Sequence, residues 1–113
     1  MLLVDDHEAF RVTARSLLEA EGFTIVGEAA DGRDALVEAE RLRPDVVLLD
    51  IQLPDIDGIT LASRLASTAA ASEIVLISSR EAATYGSRLT NAAARGFLAK
   101  RELSGAALAR LLA

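Results

Sequence analysis

Short apolar runs rich in β-branched residues alternate along this chain with longer stretches of helical period. The first run is Leu2-Leu3-Val4, and a central run of four occupies 46–49 between Asp45 and Asp50. Because this central run is apolar without alternation, we predict a strand covered on both faces. Strands that alternate with helices are typical of a parallel sheet with helices on either side. The pattern therefore predicts a three-layer α/β/α sandwich.

The same pattern predicts five strands and five helices in one domain over residues 1–113. Gly22 is expected to end the first helix, Pro44 to stop the second, and Gly86 to weaken the fourth. An apolar stripe of Phe10, Ala14, Leu17 and Leu18 should anchor the first helix to the sheet. The predicted strands are 2–4, 23–28, 45–50, 73–77 and 96–99, and the predicted helices are 8–21, 32–43, 59–69, 81–94 and a last one capped by Ser104.

Composition and charge exclude several classes of function. The net charge is −5, from 12 basic and 17 acidic residues, which disfavours direct binding of nucleic acid. There is no cysteine, so thiolate metal sites and cysteine nucleophiles are excluded. The apolar runs are too short to cross a membrane and no export signal is visible, so we expect a cytoplasmic protein. His7 is the single histidine and is expected in a loop, and the arginines Arg11, Arg15 and Arg64 are expected in solvent.

Polar residues stand at the carboxyl ends of four predicted strands. In open parallel sheets this edge is where ligands bind. Several carboxylates that converge there would repel one another unless a cation joined them, and oxygen ligands suit a hard ion such as Mg²⁺. We therefore predict a divalent-ion site formed by the residues at these strand ends, which are Asp5-Asp6, Asp50, Ser78-Ser79 and Lys100.

Each of these residues also has an ordinary structural interpretation. Asp5 and Asp6 could cap the first helix, and Ser78 with Glu81 matches a capping box for the fourth. Lys100 could be a surface residue, although it is the single lysine among 12 basic residues. The functional interpretation is favoured because all the polar groups fall at the same end of different strands.

Taken together, these landmarks resemble the receiver domain of two-component response regulators over essentially the whole chain. The resemblance implies a flavodoxin-like (βα)5 sandwich whose five parallel strands have the order 2-1-3-4-5, which places Asp6 next to Asp50. The motifs that carry it are Leu3-Val4-Asp5-Asp6, 45–50 with Leu53-Pro54 and Asp57-Gly58 behind it, Ser78-Ser79, and Gly96-Phe97-Leu98-Ala99-Lys100.

The resemblance implies a role for each residue at this edge. Asp50 would be the phosphoacceptor, a carboxylate nucleophile that takes a phosphoryl group from a histidine kinase. Asp6 would bind Mg²⁺ directly and Asp5 mainly through water, while Asp50 and the backbone carbonyl of Gln52 would complete the protein ligands. Lys100 would offset the charge of the phosphoryl oxygens. Such a domain is not an enzyme in the usual sense, because it catalyses only its own phosphotransfer and dephosphorylation.

A conformational switch is implied as well. The Ser78 hydroxyl would turn toward the phosphoryl group, and Phe97, at the aromatic position of the fifth strand, would follow inward. Many relatives have threonine and tyrosine at these two positions, so the hydroxyl is kept here and the phenol is lost. Arg101 stands where proline usually follows the lysine. This departure, with Ser78-Ser79-Arg80-Glu81, is most similar to the LuxR-type subfamily, whose members usually carry a C-terminal helix-turn-helix.

The partners implied are a sensor histidine kinase and, after phosphorylation, a second copy of this domain that binds through a helical face. No membrane and no direct nucleic-acid contact is expected, and a helix-turn-helix would belong to a longer protein, with a free-standing receiver as the alternative. A second functional hypothesis is a pseudo-receiver that is never phosphorylated and serves as a docking or dimerisation module. A Mg²⁺-dependent phosphohydrolase is disfavoured, because Gln52 stands where such enzymes need a second acid.

Overall fold

A computed structural model describes residues 1–68 and 72–113 of the chain. One parallel sheet has the strand order β2-β1-β3-β4-β5, which confirms the predicted fold class. Within the described residues, no helix is long and apolar enough to cross a membrane. The strands are β1 (Leu2–Val4), β2 (Gly27–Ala29), β3 (Val46–Asp50), β4 (Glu73–Ser78) and β5 (Gly96–Ala99), and the helices are α1 (Glu8–Ala20), α2 (Gly32–Leu42), α3 (Gly58–Thr68), α4 (Ala82–Tyr85), α5 (Ser87–Thr90) and α6 (Gly105–Leu112).

The core lies in two layers, one on each face of the sheet. Alternate residues of a strand point to opposite faces, so β3 contributes Leu49 to one layer and Leu48 to the other. The first layer contains the buried residues of α2 and α3, and Tyr85 of α4 packs at its edge. The second contains the buried residues of α1 and α6. Burial on both faces explains why the central strand is a continuous apolar run.

Local signals place most of the helix boundaries where they were predicted. Asp31 caps α2 by accepting a hydrogen bond from the Asp34 amide at 2.8 Å. Arg43 ends that helix in the left-handed region, with φ at 46°, just before Pro44. Ser104 caps α6 by accepting from the Ala107 amide at 3.0 Å, as predicted. The predicted end of the third helix, at residue 69, lies outside the described residues.

Two details of α1 and β2 were predicted wrongly. The second strand starts at Gly27, not at Phe23, because its ladder with β1 begins at the Leu2–Gly27 pair. Phe23 has another partner, since its amide donates to the Leu18 carbonyl at the end of α1. Leu17, expected in the apolar stripe of α1, is 37% exposed and lies outside the core.

The predicted fourth helix is divided in two. Its glycine, Gly86, takes φ +56° and ψ −133°, which separates α4 from α5. A positive φ is accessible to glycine at little cost and ends the regular helix there. Residues 91–94, predicted to be helical, lie after α5. The result is two helices of four residues each, with no fully buried side chain in either.

Candidate functional site

The register of the sheet brings the predicted site residues to one edge. Val4 pairs with Leu49, so Asp5 directly follows the end of β1 beside Asp50 at the end of β3. Asp50 in turn pairs with Ile77. Ser78, the next residue of β4, pairs with the last residue of β5, immediately before Lys100. The strand order therefore assembles residues that are up to 95 positions apart in the chain.

The loop after β3 folds back against the strand end. The Gly58 amide donates to the Ile51 carbonyl at 2.8 Å, and Asp57 accepts from the Ile59 amide at 2.8 Å in the first turn of α3. A Cβ atom on Gly58 would lie 2.3 Å from the Asp50 carbonyl oxygen, so only glycine fits this close approach. The Gln52 amide then donates to Asp50 Oδ1 at 3.0 Å. The loop thus holds one carboxylate oxygen of Asp50 in place through the Gln52 amide.

Lys100 joins the carboxylates of two strands. Its Nζ lies 2.5 Å from Asp5 Oδ2 and 3.3 Å from Asp50 Oδ2. The same Nζ lies 4.4 Å from the centre of the Phe10 ring, within the range of a cation–π contact. Its side chain is only 14% exposed, so the interpretation of Lys100 as a surface lysine is wrong.

Burial and charge shift the ionisation of this cluster. Burial raises the pKa of Asp50 to about 6, and the nearby Asp5 charge adds to the rise, while the Gln52 amide and Lys100 oppose it. Burial by itself would lower the pKa of Lys100, but the carboxylates of Asp5 and Asp50 outweigh it and hold that pKa above its ordinary value. Asp50 is therefore a carboxylate whose negative charge needs positive neighbours.

The donor set also fits a hard divalent cation. One ligand atom from each of Asp5, Asp6, His7 and Asp50 lies within 4.8 Å of the others. Asp5 Oδ2 is buried and accepts no hydrogen bond of good geometry from the described residues, although Lys100 Nζ is close to it. A bound cation would stabilise a buried carboxylate oxygen that lacks a hydrogen-bond donor, and a set of mostly oxygen ligands suits Mg²⁺.

Comparison with known proteins agrees with this geometry. Residues 1–111 match the family model of the response regulator receiver domain. A protein from Pseudomonas aeruginosa named as a transcriptional regulator is 42% identical over 102 residues, covering 90% of this chain and 49% of its own length. This chain belongs to the response regulator receiver domain family. It is a signalling domain of two-component systems, and it spans about half the length of the curated relatives it matches.

Solved receiver structures superpose closely on this domain. A two-component response regulator of the LuxR family from Aurantimonas has a TM-score of 0.85 and 29% identity, covering 98% of this chain and 83% of its own. A complex of CheX with CheY, BeF3 and Mg from Borrelia burgdorferi has a TM-score of 0.81 and 29% identity, covering 98% and 84%. These likenesses confirm the resemblance to receiver domains and include the LuxR-type subfamily.

The receiver fold contradicts two structural alternatives for the predicted residues. Helix α1 begins after His7, and no side chain caps it, so Asp5 and Asp6 do not serve as its N-cap. Helix α4 begins after Glu81 without a side-chain cap, so Ser78 and Glu81 do not form a capping box. The Ser78 hydroxyl instead accepts from the Arg80 amide at 3.0 Å.

Phe97 lies in β5 two residues before the strand end at the acidic edge. It pairs with Leu76 in the interior of the sheet, whereas Ser78 pairs with Ala99 at the end. Its ring is half-buried, and its centre is 6.2 Å from that of Tyr85. The structure therefore brings Asp5, Asp6, Asp50 and Lys100 together, whereas Phe97 stays in the interior of the sheet and does not join them.

Some residues of this edge were not predicted from the sequence. His7 Nδ1 lies 3.2 Å from Asp5 Oδ1 and 3.1 Å from Asp6 Oδ1, although its ring is 68% exposed. Arg11, expected in solvent, donates to the Asp5 carbonyl at 2.5 Å and pairs with Glu28 at 2.9 Å. His7 directly precedes α1 and Arg11 lies in its first turn, and this i, i+4 spacing is the signal in the sequence that could have placed both near the same edge.

In chelator, the stability of this receiver domain should depend on pH through Asp50. Its pKa in the folded state is raised to about 6, so the folded form binds a proton that the unfolded form has already lost. Asp50 therefore favours folding below about pH 4, and this contribution is lost as the pH rises through 6. We expect Asp50→Asn to become more stable than the wild type by roughly 2 kcal/mol at pH 7, after screening by solvent, and to match it near pH 4.

Urea denaturation of both proteins between pH 4 and 7.5 in EDTA measures this difference. Other carboxyl groups, such as Asp55 and Glu28, titrate in both proteins and cancel in the comparison. A stability difference that stays constant over this pH range would contradict the raised pKa of Asp50.

Proposed function

We propose that Asp50 is the phosphoacceptor of this receiver domain and that its phosphodonor is the phosphohistidine of a sensor histidine kinase. The observation that carries the proposal is a buried Asp50 carboxylate with Lys100 Nζ 3.3 Å from one oxygen and the Gln52 amide 3.0 Å from the other. A carboxylate held in this way can present an oxygen for in-line attack. Asp5 and Asp6 stand beside it at the end of β1.

The proposed transfer is a single displacement at phosphorus. A carboxylate oxygen of Asp50 forms the new O–P bond while the P–N bond to the donor imidazole breaks, and the electron pair stays on the imidazole nitrogen. Negative charge spreads over the equatorial phosphoryl oxygens as this occurs, and Lys100 lies close enough to offset it. Mg²⁺, when bound, supplies further positive charge to the same oxygens. Hydrolysis of the acyl phosphate by water returns Asp50 to its free form.

The residues that would hold the metal are Asp6 directly, Asp5 mainly through water, Asp50 and the backbone carbonyl of Gln52. In support, a related CheY was solved together with BeF3 and Mg. The grouping of carboxylate oxygens from β1 and β3 within 4.8 Å is consistent with this assignment.

Asp6→Asn should weaken Mg²⁺ binding by ~10- to 100-fold, since even the outer partners of a metal site are worth that much. Asp34→Asn, the same change on the exposed surface of α2, is the matched control and should leave the affinity unchanged. Isothermal titration calorimetry of both variants gives the two dissociation constants. Equal affinity of Asp6→Asn and wild type would remove Asp6 from the ligand set.

The output we propose is control of transcription by a longer protein. The relative from Pseudomonas aeruginosa is named as a transcriptional regulator and is about twice the length of the matched segment. A C-terminal helix-turn-helix would read DNA, and phosphorylation would favour a dimer of receiver domains through a helical face. The acidic receiver itself, with a net charge of −5, would not contact DNA.

Intact-mass spectrometry after incubation with acetyl phosphate or phosphoramidate tests the phosphoacceptor role. We expect one phosphoryl-sized gain in the presence of Mg²⁺ and none after EDTA, because the acidic cluster then repels the donor. A folded protein that gains no mass under either condition would favour the alternative of an unphosphorylated pseudo-receiver that docks or dimerises.

A further inference from the structure

The hydroxyl of Ser78 is already engaged in two hydrogen bonds outside the acidic cluster. Ser78 is fully buried, and its Oγ shares a hydrogen bond of 2.6 Å with the phenol oxygen of Tyr85. The same Oγ accepts from the Arg80 amide at 3.0 Å. A serine hydroxyl has one donor and two acceptor positions, so these two bonds fix its rotamer.

Tyr85 is also the main attachment of α4 to the sheet. It is the one half-buried residue of that helix, whose other side chains are Ala82, Ala83 and Thr84 and are exposed. Its ring packs on the core beside Phe97. In the described part of the chain, the bond to Ser78 is the only side-chain hydrogen bond that α4 makes. The next helix, α5, is held separately, by the ion pair of Arg88 with Asp57 at 2.6 Å.

We propose that Tyr85 is a latch that ties the position of α4 to the phosphorylation state of Asp50. This inference rests on the proposed function, in which Ser78 turns toward the phosphoryl group. Either hydroxyl can be the donor of the Ser78–Tyr85 bond, so the bond is lost only because turning Ser78 Oγ toward the phosphoryl group moves that oxygen away from the phenol. Phosphorylation therefore breaks the Ser78–Tyr85 bond and leaves α4 held by the packing of the Tyr85 ring alone.

Open space borders Phe97, the aromatic neighbour of Tyr85. A cleft of about 260 Å³ lies beside Phe97 and is lined by Leu76 and Leu89 among others. Gly86, at the end of α4, has φ +56° and no atom within 4 Å of a Cβ position, so the joint to α5 is unobstructed. The Tyr85 phenol also forms a hydrogen bond with Ser78. Phe97, the aromatic residue of β5, has no hydroxyl group and cannot form one.

The chain contains one tyrosine and no tryptophan, so its near-ultraviolet absorption and its fluorescence under tyrosine excitation report on Tyr85. We expect beryllofluoride with Mg²⁺, as a phosphoryl analogue, to change this signal in a saturable way. Ser78→Ala should show the released signal without any ligand. Binding of beryllofluoride to wild type, detected by calorimetry, with no change in the tyrosine signal would overturn the latch and leave the phosphoacceptor role intact.

Tyr85→Phe tests the energetic side of the latch. The substitution keeps the ring and removes only the phenol oxygen. Ser78 can then turn without having to break a hydrogen bond to residue 85. Beryllofluoride should therefore bind roughly 2- to 12-fold more tightly, which corresponds to the free energy of one neutral hydrogen bond. Thr84→Val removes an exposed hydroxyl from the same helix and should leave the affinity unchanged.

The outcomes of the affinity measurement separate the two proposals. Equal affinity of Tyr85→Phe and wild type, or an equal gain in Thr84→Val, would overturn the latch alone. Failure of wild type to bind beryllofluoride would overturn both the latch and the phosphoacceptor role. Circular dichroism of each variant confirms that it is folded, and if Tyr85→Phe does not fold, the tyrosine signal of wild type decides.

Discussion

Asp50→Asn is expected to abolish incorporation of the phosphoryl group from acetyl phosphate. The substitution keeps the shape of the side chain and its place at the end of β3 but removes the carboxylate nucleophile. The buried position tolerates this change, because a neutral amide removes the repulsion between Asp50 and Asp5 that contributes to the raised pKa of Asp50. The variant should therefore fail to take up the phosphoryl group although, in the presence of EDTA, it is at least as stable as the wild type.

Asp45→Asn is the matched control for this experiment. It makes the same substitution at the exposed residue that precedes the first residue of the same strand. We expect it to gain one phosphoryl group at the wild-type rate. Intact mass spectra of the three proteins, taken with Mg²⁺ and after EDTA, make the comparison. A phosphoryl gain that persisted in Asp50→Asn would place the acceptor at another residue.

Lys100→Met should have the second largest effect. The substitution keeps an unbranched stem of similar length beside Phe10 and removes the ammonium group that lies 3.3 Å from Asp50 Oδ2. Loss of one preorganised charge-stabilising group commonly costs about 10²- to 10³-fold in rate. We therefore expect phosphorylation by acetyl phosphate in Mg²⁺ to slow by ~10²-fold, measured as the initial rate of mass gain.

The same variant should also be less stable without metal. Asp5 and Asp50 would remain buried without a cation, and breaking a buried ion pair in this way is costly. We expect the free energy of unfolding in EDTA at pH 7 to fall by about 2 kcal/mol, because the partly exposed lysine makes the loss smaller than in a dry interior.

Arg101→Met removes the neighbouring positive charge and controls for net charge. Arg101 is exposed and pairs with Glu81, away from Asp50. Its phosphorylation rate and unfolding free energy should stay close to those of the wild type. An equal loss in Lys100→Met and Arg101→Met would mean that general attraction of the anionic donor, and not a placed ammonium group, accounts for the effect.

The residues of the site differ in how far their roles could be predicted. Asp50 and Lys100 could be found because each directly follows an apolar run that forms a strand, and parallel strands end at a common edge. The contact of Lys100 with both Asp5 and Asp50 needed the strand order, which came from the family resemblance and not from the residues alone. Tyr85 carries no such mark, because it lies on a short helix with no apolar periodicity.

The sequence by itself determined the class of fold and most of the element boundaries. Apolar runs and helical periods are local properties, and residues such as Asp31, Pro44 and Ser104 act on the backbone within a few positions of themselves. The limits of β2 were missed because they are not a local property. A strand extends only as far as it pairs with its neighbour in the sheet, and that neighbour, β1, is distant in sequence.

Only the tertiary structure decided which polar groups meet and how each is charged. Burial raises the pKa of Asp50 to about 6, and burial depends on helices packed from both faces of the sheet. The bond between Ser78 and Tyr85 likewise joins two separate elements, the end of β4 and the end of α4. Distances, dielectric environment and hydrogen-bond partners arise from contacts between distant segments, and the linear order of residues does not contain them.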